Sequence, residues 1–357
     1  MRRAFKILAI VVLGYVVLEA LVFHTPLYAY FLSPDSSTGY VELVLNNELW
    51  RVKESSNQIL AVGDSRMAVV PRIANEATNQ SGYTYASIGV GGATPRDWYY
   101  MLRHVDPEAN RYRAIVICLD TFDDDENPED FSDRETDLSY LDARLGIADL
   151  PEFAWSYHDP ERRWRAARGI LFKGFVYKRD FQDLLLHPID RIRYVQQARR
   201  DSHGWYYGYV APADSLKGLQ VDWEHRIVTP PPGMYPERAK NLKLVLTIPF
   251  PKDEGRHSAY FKQWLGKIFD HYRTSATRVV FVRVPRAPWI RPDFVVNPNS
   301  SVRQLAKKVN VVMLREDLMN FLEKPEFFRD EFHLNQEGLE QFTRALEKEL
   351  RTALAPQ

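Results

Sequence analysis

Two short stretches near opposite ends of the chain carry side chains that together can activate a serine. The first reads Gly63-Asp64-Ser65, and the second contains Asp330 and His333. A serine hydroxyl is a weak nucleophile unless a neutral imidazole accepts its proton, and that imidazole needs a partner that holds its tautomer. Asp330 and His333 are three residues apart, so one turn can direct both toward Ser65. The pattern predicts a catalytic triad of Ser65, His333 and Asp330.

The elements around Ser65 are predicted to place it at the edge of a sheet. Residues 58–62 (QILAV) form an apolar run that predicts a strand, and we expect a helix to begin at Ser65. Ligands bind at the carboxyl edge of open α/β sheets, and a helix N-terminus there stabilises a developing oxyanion. In the alternative interpretation, Asp64 and Ser65 only cap a helix, and His333 caps or covers the last one. We expect Asp64 to tie the loop by hydrogen bonds, while Arg66 contacts either an anionic substrate or a structural carboxylate.

The rest of the chain alternates apolar runs with amphipathic stretches, which predicts an α/β fold. The predicted strands are residues 58–62, 83–88, 114–119, 278–284 and 309–314, and the predicted helices are 95–105, 256–273, 302–308 and 336–354. This rhythm indicates a parallel sheet of about five strands in a three-layer α/β/α sandwich. Residues 121–240 interrupt the rhythm, and we interpret them as an insertion in a domain over 57–354, not as a second independent domain.

The N-terminus predicts a membrane anchor. Residues 7–23 (ILAIVVLGYVVLEALVF) are almost entirely apolar and follow three basic residues. About 20 apolar residues span a bilayer as a helix, and basic residues before the span orient the N-terminus to the cytoplasm. Residues 1–31 therefore predict an uncleaved single-pass anchor in the inner membrane with the remainder in the periplasm, although a cleaved signal peptide stays open. Residues 32–56 predict a linker with a short amphipathic helix.

Glu19 lies inside this apolar run, where an unpaired carboxylate is unfavourable. Two interpretations stay open. Either Glu19 lies near the outer end of the helix and reaches the headgroups, or it contacts a polar group on a partner membrane protein.

Composition excludes several classes of protein. The chain of 357 residues has 47 basic and 47 acidic side chains, a neutral balance that gives no reason to expect nucleic acid as a partner. Its single cysteine, Cys118, excludes an intrachain disulfide framework and a cysteine-based zinc site. Because Cys118 lies in an apolar run, we expect a buried core residue. The other histidines lack metal-ligand spacing, so we predict neither a metal nor a cofactor.

Taken together, the motifs resemble the SGNH (GDSL-like) hydrolase superfamily. Its first block matches Ser65 and the two residues before it, and its Asp-x-x-His block matches Asp330 and His333. Its glycine block resembles residues 87–94 (SIGVGGAT). The resemblance implies an acyl-Ser65 intermediate and an oxyanion hole formed by the backbone N–H groups of Ser65 and Gly92. It covers roughly residues 57–120 and 240–354.

One block departs from the family. Members usually carry Gly-x-Asn-Asp after the third strand, whose asparagine donates to the oxyanion, whereas residues 118–123 here read CLDTFD. Losing one such donor lowers the rate on the order of 10²–10³. Three explanations stay open: another donor, such as the N–H of Thr121 or a later residue, replaces the amide, the enzyme is slow, or the site is inactive.

The departure and the anchor together resemble SGNH-like proteins that work beside membrane-bound O-acyltransferases, in alginate and cellulose O-acetylation and in teichoic-acid D-alanylation. This resemblance implies a membrane-anchored serine O-acyltransferase or esterase that acts on acyl, chiefly acetyl, groups of an exported polysaccharide. It also implies a membrane-bound O-acyltransferase as a partner. The alternative is a catalytically inactive SGNH-like scaffold that binds the polysaccharide or that partner. The aromatic residues 205–209 (WYYGY) can stack on sugar rings, although we favour the interpretation that they pack the insertion against the core.

Overall fold

The computed structural model describes residues 2–51, 57–78, 82–123, 131–207, 215–222, 224–247, 255–285 and 297–355. The chain forms two compact units. The smaller unit contains Met1–Arg51 and Ser132–Gly204, and the larger unit contains Val52–Phe131 and Trp205–Gln357.

The strands, in chain order, are β1 (Gln58–Val62), β2 (Thr84–Ser87), β3 (Ala114–Leu119), β4 (Gln220–Asp222), β5 (Ile227–Thr229), β6 (Arg278–Arg283) and β7 (Val311–Met313). The α-helices are α1 (Arg2–Leu18), α2 (Pro26–Ala29), α3 (Ser37–Arg51), α4 (Val70–Arg72), α5 (Pro95–Val105), α6 (Thr136–Leu141), α7 (Leu150–Trp155), α8 (Pro160–Leu171), α9 (Lys173–Val176), α10 (Lys178–Leu186), α11 (Pro188–Tyr207), α12 (Pro236–Thr247), α13 (Arg256–Tyr272), α14 (Ser301–Leu305) and α15 (Gln336–Ala353). Two π-helical stretches cover Glu19–Phe23 and Ile73–Thr78, and short 3₁₀ turns cover Phe131–Asp133, Ile147–Asp149, Asn320–Leu322 and Pro325–Phe327.

A five-stranded parallel sheet forms the centre of the larger unit, as far as the described residues show. Its order is β2-β1-β3-β6-β7, and β4 and β5 form a separate antiparallel pair. Every residue of β1 and β3 is buried, which explains why both read as continuous apolar runs rather than alternating ones. The predicted α/β fold with a parallel sheet is confirmed, and β1, β3 and α5 have the predicted bounds.

The core of the larger unit lies on both faces of this sheet. Val116 and Val280 belong to a buried cluster that includes Phe342 and Leu346 of α15. In the layer formed by α5 and α13, Trp264 is fully buried, and its ring centroid lies 5.8 Å from that of Tyr100. Because the strands are parallel, the loops after β1, β2 and β3 leave the sheet at one edge, and these loops carry the predicted site.

The division into units differs from the expected one. The segment 32–56, expected to be a linker with a short amphipathic helix, contains α3, whose residues Val41, Val44 and Leu45 are buried. Glu42 of α3 is buried as well and forms an ion pair with Arg144 of the region expected to be an insertion. Most residues of α3 are buried, and residues 132–204 supply partners for it within the smaller unit, among them Ser139, whose C=O accepts a hydrogen bond from the hydroxyl of Thr38 at 2.5 Å.

The N-terminal helix is long and apolar enough to cross a membrane. Arg3–Phe23 has 21 residues and a mean hydropathy of 2.4, and only 6 % of its most apolar stretch is buried in the protein. A helix of the protein core with this composition would be covered by other elements, and this one is not.

Candidate active site

The structure brings the three predicted triad side chains into one hydrogen-bonded chain. Ser65 Oγ lies 2.7 Å from Nε2 of His333, and Nδ1 of His333 lies 2.9 and 3.0 Å from the two carboxylate oxygens of Asp330. An ionised carboxylate only accepts hydrogen bonds, so Nδ1 carries the proton and Nε2 accepts from the serine hydroxyl. This is the tautomer that a general base needs.

The loop before α15 holds Asp330 and His333 in place. Asp330 Oδ1 accepts hydrogen bonds from the backbone N–H groups of Phe332, at 2.9 Å, and of His333, at 2.7 Å. Asn335 caps α15, because its side chain accepts a hydrogen bond from the N–H of Gly338 at 2.9 Å. The alternative that His333 caps the last helix is therefore wrong, and its imidazole is available to Ser65.

The charge on Asp330 is fixed by these donors. Burial by itself raises the pKa of a carboxyl group, but the hydrogen bonds and the charge of His333, with the N–H of Phe332, lower the pKa of Asp330 to about 2. The carboxylate is therefore ionised at neutral pH. A negative charge beside Nδ1 stabilises the imidazolium that forms when His333 takes the proton of Ser65.

Ser65 lies in a turn and not at the N-terminus of a helix, so that prediction is wrong. The C=O of Asp64 accepts a hydrogen bond from the N–H of Met67 at 3.1 Å, and the first helical residues after Ser65 are those of α4. Pro71 explains the delay, because proline fits the first turn of a helix but not its interior. Stabilisation of an oxyanion at Ser65 therefore depends on individual N–H groups rather than on a helix dipole.

The glycine turn after β2 passes beside Ser65. The C=O of Val90 accepts a hydrogen bond from the N–H of Ala93 at 2.9 Å, and Gly92 has a φ of 74°, in the left-handed region that favours glycine. A Cβ atom added at Gly91 would lie 3.9 Å from Cβ of Ser65. The loop that the resemblance predicts to carry the second oxyanion donor is therefore next to the serine.

Arg66 joins two acidic residues beside the site. Its guanidinium pairs with Asp64 and with Asp120, and its Nε lies 3.0 and 3.1 Å from the carboxylate oxygens of Asp64. Burial opposes ionisation of Asp64, but Arg66 lowers the pKa of this carboxyl below its usual value. Asp64 therefore stabilises the turn by hydrogen bonds, as expected. Arg66 was predicted to contact either an anionic substrate or a structural carboxylate, and the structure contains the second kind of contact.

The acids that follow β3 are paired, where the family carries its asparagine. Asp120 pairs with Arg66, and Asp123 pairs with Arg303. The hydroxyl of Thr121 accepts a hydrogen bond from the N–H of Asp123 at 2.9 Å. Two acids and a threonine, rather than an amide, therefore follow β3 beside the site.

An apolar cleft opens beside the triad. Its lining consists of Ser65, Arg66, Val69, Val284, Pro285, Phe332, His333, Leu334, Leu339 and Phe342. Sequence reasoning did not identify this wall, which comes from the end of β6 and the start of α15. The signal available in the sequence was the position of Val284 and Pro285 directly after an apolar strand, at the same edge as Ser65. An apolar wall suits the hydrocarbon part of an acyl group.

The remaining sequence predictions concern residues away from the cleft. Cys118 is buried in β3, and burial raises the pKa of its thiol well above the usual value, which argues against a nucleophile. Among the described residues, no group of three or more His, Cys, Asp or Glu side chains is placed to hold a metal ion. Of the aromatic run, residues 205–207 end α11, and residues 208–209 lie outside the described part of the chain. Residues 124–130 of the acidic stretch 120–137 lie outside it as well.

No protein-family model matches this chain, and a search of curated proteins found no similar one. The assignment of a function therefore depends on the geometry of the site.

Proposed function

We propose that this protein is a membrane-anchored serine O-acyltransferase or esterase of the SGNH type that works through an acyl-Ser65 intermediate. The observation that carries the proposal is the hydrogen-bonded chain from Ser65 through His333 to Asp330. A half-buried, ionised carboxylate, a fixed tautomer and a serine beside an apolar cleft are the parts that acyl transfer by a serine requires.

We further propose that the larger unit is a three-layer SGNH sandwich. Counted within the sheet alone, the strand order is 2-1-3-4-5, which is an order of doubly wound α/β folds that bind ligands at the switch point between the first and third strands. Ser65 follows β1, and Asp120 follows β3, so the candidate nucleophile lies at that point. This agreement between topology and site supports the proposal independently of the triad.

In the proposed mechanism, Nε2 of His333 takes the proton of Ser65 as Oγ attacks the acyl carbonyl. The N–H groups of Ser65 and Gly92 stabilise the oxyanion of the tetrahedral intermediate. His333 then gives its proton to the departing alcohol, which leaves the acyl group on Ser65. A second hydroxyl loses its proton to His333 and attacks the acyl group, and His333 returns that proton to Ser65 Oγ as the bond between Oγ and the acyl carbon breaks. When that hydroxyl belongs to water the enzyme is an esterase, and when it belongs to a sugar it is a transferase.

The proposed setting is the outer face of the inner membrane. Arg3–Phe23 is apolar enough to span a bilayer, and the basic residues before it favour a cytoplasmic N-terminus. The catalytic unit is then periplasmic, beside exported polysaccharides and a membrane-bound O-acyltransferase partner. The inactive scaffold is the second candidate, and the absence of an asparagine from residues 118–123 favours it.

Mapping of the acylated residue tests the proposal. The full-length protein in detergent is incubated with p-nitrophenyl acetate, quenched with acid, digested and analysed by mass spectrometry, with Ser65→Ala and His333→Ala in parallel. His225→Ala is the matched control, because His225 and Asp222 form an exposed pair with the same Asp-x-x-His spacing.

Acetyl on Ser65 that is lost in both site variants and kept in the control supports the proposal. Candidate glycans added to the acylated protein then separate transfer from hydrolysis. A folded protein that never acquires acetyl on Ser65, even at high ester concentration, overturns the proposed activity and favours the scaffold.

A further inference from the structure

A short segment of the smaller unit, residues 171–176 (LFKGFV), runs beside the C-terminal part of the apolar N-terminal helix. It contacts that helix at three successive positions. His24 Nε2 lies 3.3 Å from the C=O of Leu171, and the N–H of Gly174 donates to Glu19 Oε1 at 2.9 Å. The ring centroid of Tyr15 lies 6.3 Å from that of Phe172 and 6.0 Å from that of Phe175.

These contacts set the depth of the segment relative to the helix. Arg3–Phe23 has 21 residues, so at about 1.5 Å per residue it is about 30 Å long, the thickness of bilayer hydrocarbon. Tyr15 precedes Phe23 by eight residues, which is about 12 Å along the axis. Helical side chains also lean toward the N-terminus. If the helix spans a bilayer, the rings beside Tyr15 lie well below the level of Phe23.

The outward surface of the 171–176 segment is apolar. Phe175 is 58 % exposed and Phe172 39 % exposed, and Leu171 and Val176 are exposed as well. The cation of the segment, Lys173, is turned inward and is only 3 % exposed. In water this arrangement is unfavourable by about 25 cal/mol per Å² of apolar surface, whereas against lipid chains it is favourable.

The polar backbone groups of the segment are bonded inside the protein. Phe172, Phe175 and Tyr177 donate their N–H groups to carbonyl oxygens of nearby residues, at 2.8, 3.1 and 2.9 Å, and Gly174 donates to Glu19. Backbone at membrane depth requires partners for its polar groups, above all at the break between α8 and α9, where Phe172 lies outside both helices. The segment meets that requirement at the N–H groups named.

Glu19 and Gly174 hold the segment against the helix. Glu19 is buried, and Oε1 also accepts a hydrogen bond from the hydroxyl of Tyr15 at 2.7 Å. A Cβ atom added to Gly174 would lie 2.6 Å from that oxygen and 2.9 Å from the ring of Phe23, so a larger residue would force these side chains or the segment to shift. Neither interpretation of Glu19 given above predicted these hydrogen bonds of Oε1 within the chain.

We propose that the 171–176 segment enters the outer-leaflet hydrocarbon beside the N-terminal helix, with lipid acyl chains covering Phe172 and Phe175. The smaller unit would then be held by the bilayer at two places, which fixes its orientation on the membrane. Arg168 and Lys178, exposed on either side of the segment, are placed to reach lipid headgroups. The inference requires that the helix spans the membrane, and it does not depend on acyl transfer.

Depth measurement with spin labels tests the inference on the full-length chain in phosphatidylcholine–phosphatidylglycerol nanodiscs. The labelled variants are Phe175→Cys, Val12→Cys as the control within the span, and Val309→Cys, 102 % exposed in the larger unit, as the control in water. The unsubstituted chain is the blank, because its single cysteine is buried. The accessibility of each nitroxide to oxygen is compared with its accessibility to a water-soluble nickel chelate.

We expect the label at Phe175 to favour oxygen, as the label at Val12 does, while the label at Val309 favours nickel. Addition of Gly174→Val to the Phe175→Cys variant should shift the ratio toward nickel, because the segment can no longer approach Glu19. Val176→Cys repeats the measurement one residue along, in case the first variant does not fold.

A nickel-accessible label at Phe175 and Val176, with Val12 in hydrocarbon, overturns the inference and leaves the anchor intact. If the label at Val12 is also in water, both the inference and the proposed membrane anchor are overturned. Acetylation of Ser65 is assayed on the same samples, so a failure of the proposed activity is distinguishable from either outcome.

Discussion

The guanidinium of Arg66 donates a hydrogen bond to the carboxylate of Asp120 and so connects the turn after Ser65 to the residue that follows β3. The same guanidinium also donates hydrogen bonds to Asp64, through Nε and Nη2. Two acids therefore share one cation beside the candidate nucleophile, in the part of the site where the resemblance to the SGNH superfamily predicts an amide donor. The proposed oxyanion hole consequently relies on backbone N–H groups, above all those of Ser65 and Gly92.

Asp330→Asn should lower the rate of Ser65 acylation by about 10³–10⁴, because an amide can donate to Nδ1 and so favours the wrong tautomer of His333. The release of p-nitrophenol from p-nitrophenyl acetate measures this rate. Asp222→Asn, in the exposed hairpin, should leave the rate unchanged. A decrease of less than tenfold for Asp330→Asn would show that Asp330 does not orient the base.

Gly92→Ala should slow acylation by about tenfold or more, because a Cβ atom disfavours the φ of 74° that presents the N–H group to the oxyanion. Gly82→Ala is the matched control. Gly82 has a φ of 75°, and a Cβ atom there meets nothing within 4 Å, so it reproduces the backbone strain away from the site. Equal rates for the two variants, measured with the same ester at matched thermal stability, would remove Gly92 from the oxyanion hole.

Arg66→Ala should lower the free energy of unfolding by about 1–3 kcal/mol, less than for a fully buried pair because the acids keep some contact with water. Adding Asp64→Asn should restore part of the loss, since it removes the uncompensated charge. Arg165→Ala removes an exposed cation paired with Glu135 and Glu161 and should change stability little. Thermal melting in detergent compares the four proteins, and an unchanged melting temperature for Arg66→Ala would contradict this account.

Asp142→Asn should change how stability depends on pH. Burial raises the pKa of Asp142 to about 7, although Lys173 and Tyr177 oppose the increase. The folded protein then keeps a proton that the unfolded chain loses near pH 4, so stability falls as the pH rises from about 4 to about 7. The asparagine variant lacks this decline and should be the more stable protein at pH 8, by a few kcal/mol at most. Melting temperatures are measured at pH 5 and pH 8 for both proteins. The same change in melting temperature between the two pH values for both proteins would contradict the assignment.

Local sequence patterns were sufficient to predict the strands of the parallel sheet and the three side chains that form the hydrogen-bonded chain at the candidate site. β1 and β3 are continuous apolar runs bounded by polar residues, and burial on both faces is the only environment that suits them, so their bounds could be predicted. The start of the helix after Ser65 was also encoded locally, in Pro71, but the prediction did not use that signal. Val284 and Pro285 follow β6 and line the cleft, and their position at the carboxyl edge of the sheet could be predicted from the apolar run before them. The residues of α15 that line the cleft with them, Leu339 and Phe342, could not be predicted from that run.

The tertiary structure decided which of the matching patterns form a site. The chain contains two Asp-x-x-His pairs, at 222–225 and 330–333, and both form the same short-range ion pair. His333 reaches Ser65 across 268 residues of sequence, and Glu19 reaches Gly174 across 155. Spacing along the chain determines contacts within one turn or one strand, because neighbouring residues share a backbone geometry. Contacts between distant segments depend instead on which elements pack together to bury apolar surface, and no local pattern specifies that.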